Sequence, residues 1–285
     1  MIDNYVNLGQ QLNENIFMKD KVVIITGASS GIGLACVKEF SSRQAKVVMA
    51  SRNIVKLHEI EKELKKVNKN ILSVKTDVTE VEDCHHLVDE TLRVFGAIDI
   101  LINNAGISMR ASFDSVQLDV LKKLMDVNFW GTVYCTKFAL PHLIKNGGSL
   151  IGVSSIAGFK GLPGRTGYSA SKFAMQGFLE TIRIENLRNG LHVMVVAPGF
   201  TSSNIRKAAL DANGSNQNES PRDEEKLMAP ETVARAIIRG IRFRRRNMIL
   251  SWEGKILVLF QRMLPKTIDW LAYREMAREP NSPFK

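Results

Sequence analysis

A serine, a tyrosine and a lysine fall within one stretch, SSIAGFKGLPGRTGYSASK, from Ser154 to Lys172. Tyr168 is the only tyrosine of the chain with a lysine, Lys172, four residues further on. If Tyr168 opens a helix, that spacing stacks the two side chains on one face, about 5–6 Å apart at Cβ. An ammonium there favours the phenolate and pulls the phenol pKa down from its usual value of about 10. A tyrosine tuned toward neutral pH can pass a proton to or from a substrate oxygen. Ser155 follows an apolar run, Leu150–Val153, that reads as a buried strand. A hydroxyl at the carboxyl end of such a strand sits where open α/β sheets bind ligands.

Each of these residues also has a plainer meaning. A Tyr/Lys pair at this spacing is commonly a surface contact on a helix, and serines after strands commonly cap turns. The set gains weight only if the rest of the chain builds a nucleotide site facing it.

The elements that would position the set alternate in type. Val22–Thr26, Lys46–Ser51, Ile71–Thr76, Ile98–Ile102, Leu150–Ser154 and Leu191–Ala197 read as strands, nearly continuous apolar runs of the kind a sheet buried on both faces requires. Ile32–Arg43, Ile54–Asn68, Val81–Phe95, Leu118–Lys145 and Tyr168–Arg188 read as helices, with Pro141 expected to bend or end the fourth. Pro230 opens a further helix, and Met248–Trp252 is a candidate seventh strand. This alternation predicts a single domain, a doubly wound and mostly parallel α/β sheet with helices on both faces. A polar insertion, residues 211–226 (DANGSNQNESPRDEEK), is a candidate lid.

The first strand runs into TGASSGIG, Thr26–Gly33, and then directly into a helix. Amides and the helix dipole at such a junction favour a pyrophosphate. Gly27 permits the turn, Gly31 lets backbone approach the phosphates, and Gly33 lets the helix pack on the sheet. Ser29, Ser30 and Ile32 complete the expected cofactor turn. At the end of the second strand, AKVVMASRN, the carboxylate that would take a ribose 2′-hydroxyl is missing, and Arg52 stands there instead. A guanidinium suits a 2′-phosphate, so NADP is favoured over NAD.

With these pieces in place the chain closely resembles the short-chain dehydrogenase/reductase family of single-domain type. TGASSGIG, NNAG at Asn103–Gly106, Asn128 in DVNFWG, Ser155, YSASK at Tyr168–Lys172, and Pro198–Gly199 match in order, over roughly residues 18 to 250. The resemblance implies a seven-stranded Rossmann sheet. It implies that Tyr168 is the catalytic acid/base, and that Lys172 lowers its pKa and holds the nicotinamide ribose. Ser155 would bind the substrate carbonyl, and Asn128 would hold a water of a proton relay. Asp77 and Val78 would sit against the adenine, with Asn104, Ala105 and Gly106 supporting the cleft. Pro198 and Gly199 would line the nicotinamide pocket. Beyond them the family often has a valine and then a threonine, whereas this chain has Thr201 and Ser203, so a hydroxyl is kept and Thr201 would take its place in the cofactor site. By family position Met109, Arg110, Phe159, Leu162 and Phe200 would lie near the substrate. They are mostly apolar, which points to a hydrophobic substrate. The implied activity is that of an NADP-dependent carbonyl reductase or alcohol dehydrogenase. A 3-oxoacyl thioester reductase is the alternative within the class, and a non-catalytic dinucleotide-binding regulator is the alternative outside it.

Composition bounds the rest. The chain has 285 residues, 45% hydrophobic, with a net charge of +10. Basic residues outnumber acidic ones most clearly after Ile241, so the excess is largely terminal, and no nucleic-acid reader motif accompanies it. The three cysteines, Cys36, Cys84 and Cys135, fit buried thiols in a reducing compartment, with no disulfide or metal site expected. Residues 1–18, an N-terminal extension, contain no long apolar run, which argues against a signal peptide and for the cytoplasm. In the C-terminal extension, 253–285, Ile256–Phe260 and then Met263, Leu264, Ile268, Trp270 and Leu271 suggest two short helices divided at Pro265. Three uses compete for their apolar side: closing the substrate pocket, a homo-oligomer interface, or contact with a membrane surface. The first two need no lipid and rank above the third.

Overall fold

The computed structural model describes residues 16–224 and 227–284. Most of the N-terminal extension, and Glu225 and Lys226 of the candidate lid, lie outside the described residues. Seven strands form one sheet: β1 (Val22–Thr26), β2 (Lys46–Ser51), β3 (Ile71–Lys75), β4 (Ile100–Asn103), β5 (Ser149–Val153), β6 (His192–Ala197) and β7 (Asn247–Ile249). Their order is β3-β2-β1-β4-β5-β6-β7, and every neighbouring pair is parallel. The order reverses between β1 and β4, which opens a crevice beyond their carboxyl ends.

Side chains alternate across the sheet and so feed two cores. Val23 and Ile25 of β1 join Val47, Met49, Ile100 and Ile102 on one face. Helices α1 (Gly31–Ser42), α2 (Ile54–Leu64) and α7 (Pro230–Arg242) cover that face with residues such as Val37, Phe40, Leu57 and Ile237. Ile24, Val48, Leu101, Leu150 and Val195 point the other way. They meet Leu87, Cys135, Leu143, Met175 and Leu179 of α3 (Val81–Phe95), α5 (Gly131–Lys145) and α6 (Thr166–Glu185). The central strands β1, β4, β5 and β6 are buried throughout, whereas the edge strand β7 is not.

The expected helix over 118–145 is divided. Helix α4 (Leu118–Met125) passes through a π-helical turn, Asp126–Trp130, before α5 begins. Such turns cluster at functional sites because they re-aim side chains, and Asn128 sits within this one. Pro141 does not end the helix, which runs on to Lys145. Cys135, Ala139 and Leu143 bury the same face on both sides of the proline, so tertiary packing holds the helix together across it. The C-terminal extension folds as α8 (Trp252–Phe260) and α9 (Pro265–Ala277), with Pro265 at the first turn of α9, where its missing N–H costs nothing. Among the described residues no helix is long and apolar enough to cross a membrane. The three cysteines are buried and free, and the Sγ atoms of Cys84 and Cys135 lie 3.4 Å apart.

Candidate active site

The crevice at the β1/β4 switch point opens into a cavity of about 450 Å³. Its floor is the turn after β1. Gly27 and Gly31 have φ of +65° and +52°, which disfavours any residue with a Cβ. A Cβ on Gly33 would lie 2.2 Å from the Gly27 carbonyl oxygen, so α1 packs against the turn backbone to backbone. The end of β1 is tied to the segment after β4 by partly buried hydrogen bonds. The Asn104 and Ala105 amides each donate to Thr26 Oγ1 at 3.0 Å, and Asn104 Nδ2 donates to the Thr26 carbonyl at 2.9 Å. Ser29, Ser30, Ile32, Arg52, Asp77, Val78, Asn104, Ala105 and Gly106 line the cavity, and Gly33 stands behind it. The Asp77 carboxylate accepts from Thr79 N and Oγ1, which fixes the loop after β3. Arg52 is exposed at the rim. A helix N-terminus with glycine backbone open to an anion, an arginine at the rim and a long crevice fit a nicotinamide dinucleotide.

Ser155, Tyr168 and Lys172 line the other end of the same cavity. Ser155 Oγ accepts the Ala157 amide at 3.2 Å and caps a single 3-10 turn, Ile156–Gly158. Its neighbour Ser154 is buried and accepts from Gln176 Nε2 at 2.9 Å. Ser155 is half-buried and its hydroxyl interacts with the Tyr168 phenol, so of the two serines it is the one placed beside the tyrosine. Lys172 is buried, and its Nζ donates to the Val153 carbonyl at 2.9 Å. Asn128 is fully buried: its Oδ1 accepts from Ile107 N, and its Nδ2 donates to Ile107 O and Ser171 Oγ. It thus locks the loop after β4 to the helix that carries Tyr168 and Lys172. The backbone of Gly106 lies between them, close enough that a Cβ there would sit 3.1 Å from Asn128 Oδ1 and 3.4 Å from Lys172 Nζ. A carbonyl oxygen placed here could accept from Ser155 and Tyr168 together, which suits proton transfer to developing oxygen charge.

The electrostatics differ from the expectation that Lys172 depresses Tyr168. Burial pushes the Tyr168 phenol above its ordinary value, while the Ser155 hydroxyl, Arg165 and Arg206 pull the other way without prevailing. Burial also drives Lys172 down, to about 8. Lys172 Nζ is 6.0 Å from the Tyr168 ring centre and bound to a backbone carbonyl. For both groups the loss of surrounding water is the dominant cause. Tyr168 is consequently a neutral proton donor at neutral pH.

The substrate end revises the expected lining. Pro198, Gly199, Thr201, Leu162 and Phe200 face the cavity. Thr201 Oγ1 donates to the Gly199 carbonyl at 3.1 Å, and Ser203 stands against Gly31. Met109, Arg110 and Phe159 are not among the lining residues. Met109 is fully buried in a small apolar cluster with Leu124 and Leu210, because the loop after β4 folds beneath α6. Arg110 is drawn instead to Glu279, at 3.4 Å. Arg165, Arg206, Met276 and Glu279, absent from the expected site, also line the cavity. Arg165 could have been found from its place one turn before Tyr168, but nothing local marks Met276 or Glu279.

Residues 21–214 match the family model described as short chain dehydrogenase. The chain is 33% identical to dehydrogenase/reductase SDR family member 7B of Xenopus tropicalis, over 91% of this chain and 86% of that protein. It is 32% identical to 11-beta-hydroxysteroid dehydrogenase 1A of Arabidopsis thaliana, over 90% of this chain and 75% of the relative. Among solved structures, a short chain dehydrogenase/reductase from Burkholderia phymatum in complex with NAD superposes with a TM-score of 0.79 at 20% identity, covering 88% of this chain and 95% of that one. An alcohol dehydrogenase from Thermococcus sibiricus complexed with 5-hydroxy-NADP superposes with a TM-score of 0.71 at 22% identity, covering 81% and 95%.

Proposed function

The chain belongs to the short-chain dehydrogenase/reductase family of oxidoreductases, which bind a nicotinamide dinucleotide, and from that premise we propose that it reduces apolar carbonyl compounds with NADPH. The observation that carries this reading is the meeting of Ser155, Tyr168 and Lys172 at one end of a cavity whose other end holds the glycine turn and Arg52. The turn from Gly27 to Gly33 would take the pyrophosphate, Asp77 and Val78 would flank the adenine, and Arg52 would pair with a 2′-phosphate. Asn104, Ala105, Gly106, Pro198, Gly199 and Thr201 would wall the nicotinamide side. The bound cofactor supplies the hydride. Ser155 would donate to the substrate oxygen, and Tyr168 would give it a proton. Lys172 would hold the ribose, and Asn128 would position the water through which the proton is replaced.

Leu162, Phe200, Ile205, Ala208 and Met276 give the substrate end an apolar lining, which supports a bulky ketone or secondary alcohol over a 3-oxoacyl thioester. Relatives named as hydroxysteroid dehydrogenases agree with that preference. A regulator without turnover would have little reason to keep the whole Ser155, Tyr168, Lys172 and Asn128 set. We also propose that the enzyme is a cytoplasmic homo-oligomer. Trp252, Leu259, Met263 and Trp270, at least half exposed in the single chain, would be covered by a second copy rather than by lipid. Light scattering together with sedimentation on anionic liposomes separates the two covers: a monomer that pellets with the liposomes refutes the oligomer. The activity itself is tested by following NADPH and NADH oxidation against a panel of apolar ketones. Turnover with NADPH is expected, and equal use of both cofactors or no turnover across the panel refutes the proposal.

A further inference from the structure

Three arginines from distant parts of the chain converge on one carboxylate at the substrate end of the cleft. Glu279, in the turn after α9, is only 5% exposed. Its Oε2 lies 3.2 Å from Arg165 Nη2 and 3.4 Å from Arg110 Nε, and its Oε1 lies 3.5 Å from Arg222 Nε. Arg222 has a second partner, Glu275, at 3.0 Å, and stacks over the Phe200 ring. Arg165 and Arg110 share Glu279 alone as their carboxylate among the described residues. Arg165 and Glu279 both face the cavity, and Arg165 stands one turn before Tyr168.

The second arginine on this wall is neutralised in the same way. Arg206 Nε and Nη2 donate to Glu224 Oε1 and Oε2 at 2.9 and 2.7 Å. Burial would raise the Glu224 carboxyl, but hydrogen bonds from Arg206 and Ser220 outweigh it and hold the group at about 2, so it is ionised at neutral pH. Each guanidinium that faces the substrate is therefore matched by a carboxylate of the chain itself.

A guanidinium in a cleft poor in water is a strong receptor for a carboxylate, by charge and by its fork of donors. Burial pulls the Arg165 guanidinium below its ordinary value, and the negative charge of Glu279 works against that shift. Left without Glu279, Arg165 and Arg110 would be uncompensated charges, which a substrate anion would relieve. With Glu279 in place one of those two charges is balanced from within and both guanidinium groups are held by the same carboxylate, and Met276 on the preceding turn adds apolar surface beside it. Resting on the carbonyl chemistry proposed above, we infer that Glu279 sets the charge specificity of the substrate chamber. By occupying Arg165 and Arg110 it makes the chamber accept neutral apolar carbonyl compounds and refuse carboxylated ones.

The test uses para-acetylbenzoate and its methyl ester, two ketones of similar shape that differ in charge. Two quantities are measured: kcat/KM with NADPH, and calorimetric affinity for the enzyme–NADP complex. Wild type is expected to favour the ester in both. Glu279→Gln keeps the size and drops the charge. It should raise the acid-to-ester ratio by about tenfold or more, in line with one charge-assisted hydrogen bond. Adding Arg165→Gln should abolish that gain. A wild type that takes both probes equally overturns the inference without need of any variant. So does a Glu279→Gln protein, folded by its thermal melt, in which both probes weaken together and the ratio stands still, as a purely structural role would give. Failure of both probes to bind either form also overturns it. If the binding ratio shifts while neither probe turns over, the reductase reading fails for these ketones and the charge rule stands.

Discussion

The two halves of the cleft are walled by different kinds of structure. The nucleotide half is made of strand ends and a helix N-terminus, fixed by backbone conformation at Gly27 and by the hydrogen bonds that bind Thr26 to Asn104 and Ala105. The substrate half is made of the loop before α6, the segment after β6 and the C-terminal extension. Ion pairs between distant residues hold it together: Arg165 with Glu279, Arg206 with Glu224, Arg222 with Glu275, and Lys160 with Asp269. A scaffold of backbone contacts can change little without unfolding. A wall of side-chain charges on loops can be rewritten residue by residue while the sheet stays intact. On the reading proposed above, the halves would divide the labour, one fixing the cofactor and the other selecting the substrate.

The largest effect is expected where the halves meet. Tyr168→Phe keeps the ring and removes the proton donor, so kcat should fall by about 10²–10⁴ while cofactor affinity stays near wild type. Steady-state kinetics with a cofactor titration checks both, and an active variant breaks the assignment. Gly33→Ala comes next. Its Cβ would meet the Gly27 carbonyl at 2.2 Å, and backbone has no room to yield. Loss of cofactor affinity is expected, with about 1–3 kcal/mol of stability. Arg222→Ala, in the other half, should leave cofactor affinity intact. Equal loss in both variants would erase the distinction between the halves.

Arg52→Asp should lower the NADPH-to-NADH ratio of kcat/KM by roughly tenfold or more, as expected for a lost charge-assisted contact replaced by repulsion. An unchanged ratio removes Arg52 from the site. A smaller effect concerns Lys172 in the cofactor-free protein. Its pKa falls from 10.5 to about 8 on folding, so between those values the unfolded chain binds the extra proton. Its contribution to stability therefore rises with pH across that window and is flat below it. Denaturation at pH 8 and pH 10 should show this rise in wild type relative to Lys172→Met, and parallel behaviour of the two proteins contradicts it. The smallest effect is expected in the segment from Asp211, which we propose acts as a lid. Arg222 and Gln217 already tether it, Gln217 to the Arg110 carbonyl at 2.8 Å. Hydrogen exchange should slow there when NADP and a substrate analogue bind, and unchanged exchange leaves it an idle loop.

Much of the nucleotide half could be read from the chain because its parts are local. Thr26–Gly33 carries strand end, turn and helix start within one stretch, and Tyr168 and Lys172 share a face by helix geometry alone. The period of apolar residues likewise fixed the doubly wound sheet, since parallel strands buried on two faces admit few other patterns. What required the tertiary structure was whatever depends on water being excluded or on distant residues meeting. The π-turn at Asn128 and the unbroken helix at Pro141 follow from packing on the sheet. The sign of the Tyr168 shift follows from burial, which no spacing reports. Met109 moved into the core, and Arg110 turned to Glu279, for the same reason. A carboxylate placed on the C-terminal turn becomes part of the substrate wall only when the fold carries it more than half the chain's length back to Arg110. Sequence specifies the local geometry of such groups, while their partners, and so their charge and their chemistry, are settled by the contacts that folding makes.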